Sequence, residues 1–511
     1  MKKVISGEEL NQMMKKSVNL LCDTVSQTLG PTGNNIIINS SEKSPYITND
    51  GVTIAENINS DNKEEDTVLE LIKEASLKTN ELVGDGTTTT LVLLQSIFNQ
   101  GEELIKNGKN KIVLKNELLS CMDQVVKELL KEKKKPSKEE YYHIAKTSTN
   151  DEEIANITTS VFHKMKSKYS IKLEESKEER TMILHKKGYN VSIRNLSSVY
   201  FTKKDEIELE NVHILILKGY LDSLESISEI VNDALEQDKN LLVLVEEMNE
   251  EIKNEVLVYY LNKKNLFFVE IEEYAKHRDL IEEDIKTLSN ARIKNIDYEK
   301  TYGNDCGFIS NIILKEDEII IESNQENAKE LIHKLKEEYE SCYSDYEKEF
   351  IMSRISKLEK GITTIYVGGV TKTEKKEKIM RYEDCISSLS SAKEGIVLGE
   401  GITYLKISDL LASNTDGEII IKNALEKPFE KIMENLGLEP ENIKKEIRKN
   451  QYKIIYDYQK KKLIPLTDNL VIDPVIVLVT AFKNALSIAA LLLSTSSLII
   501  NLEEKLEQNI L

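Results

Sequence analysis

The chain is poor in the residues that build metal and redox centres. Its 511 residues hold only five cysteines, Cys22, Cys121, Cys306, Cys342 and Cys385, which are scattered, odd in number and without a C-x-x-C pair. That excludes a disulfide framework and a zinc site of ordinary spacing, and it fits a reducing compartment. The six histidines, His143, His163, His185, His213, His277 and His333, form no spaced ligand set, and no nucleophile motif accompanies them. An unrelated small-molecule enzyme is therefore disfavoured. Positive charge is also short: 69 Lys and Arg stand against 88 Asp and Glu, a net charge of -19. A phosphate backbone would be repelled, and basic runs such as Lys131 to Lys135 lie among or beside glutamates, so nucleic acid is not an expected partner. The pattern G-x-x-x-x-G-K-[ST] is missing, which argues against an ordinary P-loop enzyme.

Long apolar runs are scarce as well. The uncharged stretch Ala485 to Ile500 falls short of the ~20 residues of a membrane span, and Ser487, Ser494, Thr495, Ser496 and Ser497 interrupt it. It is expected to form a buried helix, with no membrane partner. Met1-Lys2-Lys3-Val4 leads at once into polar Ser6, Glu8 and Glu9, so export is not indicated and a cytoplasmic location is expected.

With 40% apolar and 31% charged residues, the chain has globular composition, and its length calls for about two to four domains. Residues 8 to 29 and 64 to 107 carry apolar positions at helical spacing, Leu69, Ile72, Leu82, Leu91, Leu94 and Ile97 among them. Between them the β-branched run Ile36-Ile37-Ile38 and the segment Tyr46 to Asp50 predict a hairpin. From about Gly188 to Gly361 short apolar strands, His213 to Leu217, Leu241 to Val245, Leu266 to Ile271 and Ile319 to Ile321, alternate with charged helices, which predicts a separate α/β domain. Ala328 to Lys360 reads as a helical pair and Ile362 to Val367 as a strand. From Asp473 onward the pattern is helical again, so the termini are expected to build one domain into which the centre is inserted.

The strongest chemical signal is Gly84-Asp85-Gly86-Thr87-Thr88-Thr89-Thr90, set before a helix predicted to begin near Leu91. Glycines let the backbone approach a ligand, and the free N–H groups and dipole at a helix start attract an anion, phosphate above all. An acid inside a phosphate nest is a poor anion binder unless a divalent cation bridges the two, so Asp85 implies a magnesium-nucleotide. Thr28-Leu29-Gly30-Pro31-Thr32-Gly33-Asn34-Asn35 closes a helix and permits a tight turn against a bound group. Taken alone, Gly84 to Thr90 reads more commonly as a polar loop with a threonine N-cap, and the second segment only as a loop.

Together they are more specific. TLGPTGNNIII, ITNDGVTIAENI and VGDGTTTTLVLLQSI occur in the order and spacing of the chaperonins, and the chain resembles that family from about Gly7 to Leu502. Val199-Tyr200-Phe201-Thr202, Tyr346-Glu347-Lys348-Glu349 through Ser356-Lys357-Leu358, Tyr366-Val367-Gly368-Gly369 and Val471-Ile472-Asp473-Pro474 resemble its group I, the GroEL type. The resemblance implies a multidomain chaperonin fold. Residues 1–132 and 395–511 would form a mainly α-helical equatorial ATPase domain, 133–187 and 363–394 a small α/β intermediate hinge domain, and 188–362 an inserted α/β apical domain. Gly188, Gly361, Pro136 and Gly395 fall at the implied hinges.

By position, the resemblance implies Asp85 as the Mg²⁺ ligand, Gly86, Thr87, Thr88 and Thr89 as the phosphate grip, and Leu29, Gly30 and Pro31 as a wall around ATP. It implies Asp50 and Asp384 as the pair that positions the attacking water, and Asp473 as the ribose partner. Leu196, Tyr200, Phe201, Ile230, Val231, Val258 and Tyr259 would form an exposed apolar patch for unfolded polypeptide clients. Further implied partners are other copies of the chain in a heptameric ring and a heptameric co-chaperonin cap.

Three positions depart from the family pattern. Glu400 interrupts the glycine run Gly399-Glu400-Gly401 beside the ribose, and Asp457 takes the place of an Asn that faces adenine, losing an amide donor. Glu430 stands where the family carries an Arg that pairs with the acid matched by Glu439, so like charges would oppose ring stacking and a single or rearranged double ring is expected. The alternative to an ATP-driven folding chamber is thus a chaperonin-shaped binding or scaffold protein with little or no turnover.

Overall fold

The structure, a computed structural model, describes residues 2–39, 45–149, 151–202, 204–273, 275–322, 325–467 and 471–501. Leu502, where the resemblance ends, lies outside them. The chain divides into two compact units, residues 1–164 with 369–511, and residues 165–368. Of the segments assigned above to an intermediate domain, 133–164 and 369–394 belong to the first unit and 165–187 and 363–368 to the second.

The first unit is built on helices whose apolar residues recur at three- and four-residue steps. Glu8–Ser26 buries Leu10, Met14, Val18, Leu21 and Val25 on one stripe. Lys63–Val83, Thr87–Lys106, Lys111–Ser120, Asp416–Asn435 and Val475–Ser494 contribute Leu69, Leu94, Leu118, Ile421 and Phe482 to the same core. Val475–Ser494 is long and apolar enough to cross a membrane, yet 13 of its 20 residues are buried; the helix expected over Ala485 to Ile500 ends at Ser494, and Ser497–Asn501 is a strand. The two ends of the chain meet in an antiparallel pair, Lys2–Ser6 with Ser497–Asn501. The predicted hairpin is present as Ile36–Ile38 paired with Tyr46–Thr48.

One boundary differs from the sequence reading. Within 64 to 107 the structure holds two helices, because Gly84 ends the first in a left-handed cap and Gly86, at φ 79°, precedes the second. The second helix starts at Thr87 instead of near Leu91, so the threonines form its first turn.

The second unit is an α/β sandwich around a seven-stranded sheet. Its order is Tyr189–Ser192, Glu318–Glu322, Gly307–Leu314, Ile207–Leu221, Asn240–Met248, Leu266–Glu270, with Ile293–Asn295 added along Ile207–Leu221. The last three strands of that order run parallel, and their alternating side chains feed two cores. Ile214, Ile216 and Leu242 meet helices Ala275–Ser289, Gln325–Ser341 and Asp345–Lys360 on one face, while Leu215, Leu217 and Val243 meet Ser228–Glu236 and Glu250–Leu261 on the other. A buried fork between Arg354 and Asp284, at 2.7 and 2.5 Å, ties two of these helices together, and Tyr189 Oη donates to the same carboxylate at 2.6 Å. Ile362–Val367 forms the centre of a separate three-stranded sheet.

The placement of the client-patch residues corrects part of the sequence reading. Tyr200, Ile230 and Val231 are buried at 8%, 5% and 3% exposure, because they face the sheet that their own helices cover. Leu196, Phe201 and Tyr259 are half-buried against the same cores, and of the seven only Val258, at 53%, is openly exposed. Leu261, one turn further along Glu250–Leu261, is exposed at 62% and was not anticipated.

The expected repulsion at Glu430 is also modified. Its carboxylate accepts from Lys427 Nζ and Lys444 Nζ, each at 2.5 Å, and these lysines hold it well on the ionised side. The negative charge is compensated within the chain, which weakens the argument against ring stacking.

Candidate functional site

A cavity of about 540 Å³ opens in the first unit where segments far apart in sequence converge. Its floor is the start of helix Thr87–Lys106. No side chain caps this helix, and its first intrahelical bond is Thr90 N–H to Gly86 O, so the N–H groups of Thr87, Thr88 and Thr89 lack helical partners. Uncapped donors facing a cavity, on the positive end of a twenty-residue helix, make an anion site. A Cβ on Gly86 would stand 2.6 Å from Val477 Cγ1, so backbone and neighbour approach as only glycine allows.

The wall opposite is the loop after helix Glu8–Ser26, with Leu29, Gly30 and Pro31 lining the cavity. Asn435 fixes this loop by donating its amide to Ser26 O at 3.0 Å and Leu29 O at 2.9 Å. Thr28 and Thr88 hydroxyls lie 3.3 Å apart and join loop to floor.

Three acids come together beside this helix start. Asp50 caps helix Gly51–Asn57, its carboxylate accepting from Val52 N at 3.3 Å, Thr53 N at 2.8 Å and Thr53 Oγ1 at 2.5 Å. This locks the side chain, and further lone pairs remain. Asp85 accepts from Gly86 N at 2.6 Å and from Ser388 Oγ at 2.8 Å. Asp384 comes from helix Lys372–Ser391, which is docked on the 84–86 loop through Ser388 and through Ser391 Oγ, 3.1 Å from Val83 O. Burial, with Asp50, Asp85 and Glu383 nearby, pushes the Asp384 carboxyl up to about 8. Burial also raises Asp85, against the pull of its Ser388 and Gly86 bonds.

Asp473, Glu400 and Asp457 line the cavity as well. Asp473 is pushed up to about 7 by burial and by Asp85. Glu400 is pushed up to about 8 by burial, then by Asp473 and Asp457. Gly399 is not among the residues that line the cavity; it follows the strand Ile396–Leu398, whose Val397 pairs with Asp473. Asp457 lines the cavity, but its Oδ1 accepts from Gln459 N at 3.0 Å and Lys460 N at 2.9 Å, closing the turn between Ile454–Asp457 and Lys462–Pro465. Those bonds hold the acid low, and the Asn it replaces could serve the same turn.

Sequence reasoning missed several lining residues. Arg381 and Ser388 are one turn to either side of Asp384 on the same helix, so the three-and-four spacing could have found them. His143, Lys146 and Tyr458 carried no such signal.

The charge balance of the cavity sets what it can hold. Asp50, Asp85, Glu377, Asp384, Glu400, Asp457 and Asp473 all line it, while Lys146 and Arg381 are paired with Glu152 at 2.7 Å and Glu377 at 2.5 Å. A bare polyphosphate would be repelled. Among the described residues no group of three His, Cys, Asp or Glu is poised to hold a metal unaided. An all-oxygen donor set with one carboxylate at the phosphate cradle suits Mg²⁺, which usually takes one or two carboxylates and completes its shell with phosphate and water.

An α-helical unit with an inserted α/β unit, an anion cradle and a ring of acids define a chaperonin-type fold. The chain belongs to the TCP-1/cpn60 chaperonin family, whose model matches residues 21–502. Two solved structures are similar, both of the chaperonin gp146 from the bacteriophage EL 2 (Pseudomonas aeruginosa) in the presence of ATP-BeFx. Crystal form I is 19% identical, covers 98% of this chain and 99% of that one, and gives a TM-score of 0.75. Crystal form II has the same identity and coverage with a TM-score of 0.69. At this identity the likeness establishes the fold.

Proposed function

We propose that the protein is an ATP-hydrolysing, ring-forming chaperonin subunit of the group I type. The observation that carries the reading is the convergence of Asp50, Asp85 and Asp384, from three separate segments, on one uncapped helix start. The gp146 crystals grown with ATP-BeFx support a nucleotide in this cavity.

In this reading the N–H groups and hydroxyls of Thr87, Thr88 and Thr89 grip the phosphates, with Leu29, Gly30 and Pro31 as the wall. Asp85 holds Mg²⁺, which when bound neutralises charge on the phosphate oxygens. Asp50, rigid in its cap, and Asp384 orient the water in line with the terminal phosphate. The Asp384 carboxyl keeps its proton up to about pH 8, so the ionised form that accepts the proton water loses is the minor one at neutrality. Asp473 accepts from the ribose.

Clients bind the second unit through apolar surface. Val258 and Leu261, one turn apart on one helix and both exposed, supply that surface. Nucleotide binding and hydrolysis shift the population between client-holding and client-releasing states. A three-domain division with hinges at Gly188, Gly361, Pro136 and Gly395, a heptameric ring, a heptameric co-chaperonin cap and a cytoplasmic location complete the proposal.

The scaffold reading is favoured by one observation, the Glu400 side chain at the nucleoside end of the cavity. Phosphate release from Mg·ATP decides between them. Turnover that disappears in Asp384→Ala supports the enzyme; no turnover in the unaltered protein supports the scaffold.

A further inference from the structure

Glu400 sits where the strand Ile396–Leu398 turns into helix Ile402–Leu410, at φ 53°, with Gly401 following at φ 73°. Two successive left-handed residues suit glycine, and a glutamate there is held against its backbone preference. Its side chain lines the cavity, yet Oε2 is buried and has no hydrogen-bond partner among the described residues. Buried polar atoms are rarely left so, and each exception calls for an explanation such as strain, a catalytic role, or a water or ion that completes it.

The neighbours say which ligand group. Glu400, Asp473 and Asp457 line the same cavity, and burial with the Asp473 and Asp457 charges nearby holds the Glu400 carboxyl on its protonated side. A Cβ at Gly399 would be 2.9 Å from Asp473 Oδ1, which puts the backbone next to Glu400 against that carboxylate. Asp457 Oδ1 is committed to its own turn. Two adjacent carboxyl groups, one of them able to keep a proton, offer acceptors and a donor together, and a vicinal diol answers them with two hydroxyls that both donate and accept.

We propose that Glu400 is a specificity residue of the nucleotide site, its carboxyl hydrogen-bonding the sugar's vicinal hydroxyls beside Asp473, so that the site selects ribonucleotides over deoxyribonucleotides. The proposal rests on the nucleotide reading of the cavity. A ligand lacking one hydroxyl leaves a buried carboxyl oxygen unsatisfied, which a site built for that hydroxyl penalises heavily.

The test is calorimetric binding of Mg·ADP, Mg·2′-deoxyADP, Mg·3′-deoxyADP and Mg·inosine diphosphate to the full chain, to Glu400→Gly and to Glu400→Gln. The unaltered protein should prefer ADP over at least one deoxy analogue by about tenfold or more. Glu400→Gly, which relieves the left-handed residue and should fold, brings that ratio to about threefold or less, and Glu400→Gln, which keeps a donor and an acceptor, retains most of it. Equal affinity for ADP and both deoxy analogues in the unaltered protein overturns the proposal, as does a ratio unchanged in Glu400→Gly. A uniform gain in affinity for all four ligands in Glu400→Gly would make the side chain an obstruction, and a changed ADP to inosine diphosphate ratio alone would make it a base contact; both overturn it too. If none of the four binds the unaltered protein, the nucleotide reading itself falls.

Discussion

Asp384→Asn should stabilise the nucleotide-free protein while abolishing turnover. The folded carboxyl keeps its proton up to about pH 8, whereas an ordinary aspartate gives it up near 3.8. Between those values the folded state binds the extra proton, so the stability that Asp384 contributes is complete below pH 4 and is lost as pH rises through 8. From pH 6 to pH 8 the loss integrates to about 2 kcal/mol. Asparagine mimics the protonated acid at every pH and cannot lose that increment. For a unit of this size the gap in Tm widens by about 3 °C from pH 6 to pH 8, and it closes only near pH 4, where the unfolded aspartate is protonated too. Thermal melting of both proteins across this range, without nucleotide, reads it directly. The same variant should lose phosphate release by about 100-fold or more, because the group that accepts the water's proton is gone. Parallel pH profiles for the two proteins, or a variant less stable at pH 8, would refute the claim that Asp50 and Asp85 crowd this carboxyl. Undiminished turnover would remove Asp384 from the chemistry.

Three further outcomes are expected. Asp85→Ala should abolish phosphate release but leave assembly, followed by sedimentation velocity, unchanged. Gly86→Ala should cost roughly 1–3 kcal/mol, from the left-handed backbone and the 2.6 Å approach to Val477, and should weaken Mg·ADP binding in calorimetry. Arg354→Met leaves the Asp284 carboxylate buried without its guanidinium and should destabilise the second unit by about 3–5 kcal/mol in urea unfolding, with partial recovery when Asp284→Leu is added.

Local rules were enough for much of this protein. Apolar residues at three- and four-residue steps located the core helices, and β-branched runs bounded by turns located strands such as Ile362–Val367. Glycines flanking Asp85 and the threonines after it marked an anion cradle, because only a few residue types let a backbone approach a phosphate. Those signals are short-range, and so were legible.

What they could not supply is which long-range neighbour each side chain meets. Tyr200, Ile230 and Val231 have the composition of a greasy patch, but the sheet beneath them claims their surface, and exposure passes to Val258 and Leu261. Asp457 looks like a base contact until its own turn takes its Oδ1, and Glu430 looks like a repelling charge until Lys427 and Lys444 close on it. The helix expected to begin near Leu91 starts at Thr87, directly after left-handed Gly86. Burial, charge pairing and the orphaned oxygen of Glu400 depend on residues brought together from far along the chain. A linear pattern records none of that, since the energy of a buried charge is set by what surrounds it.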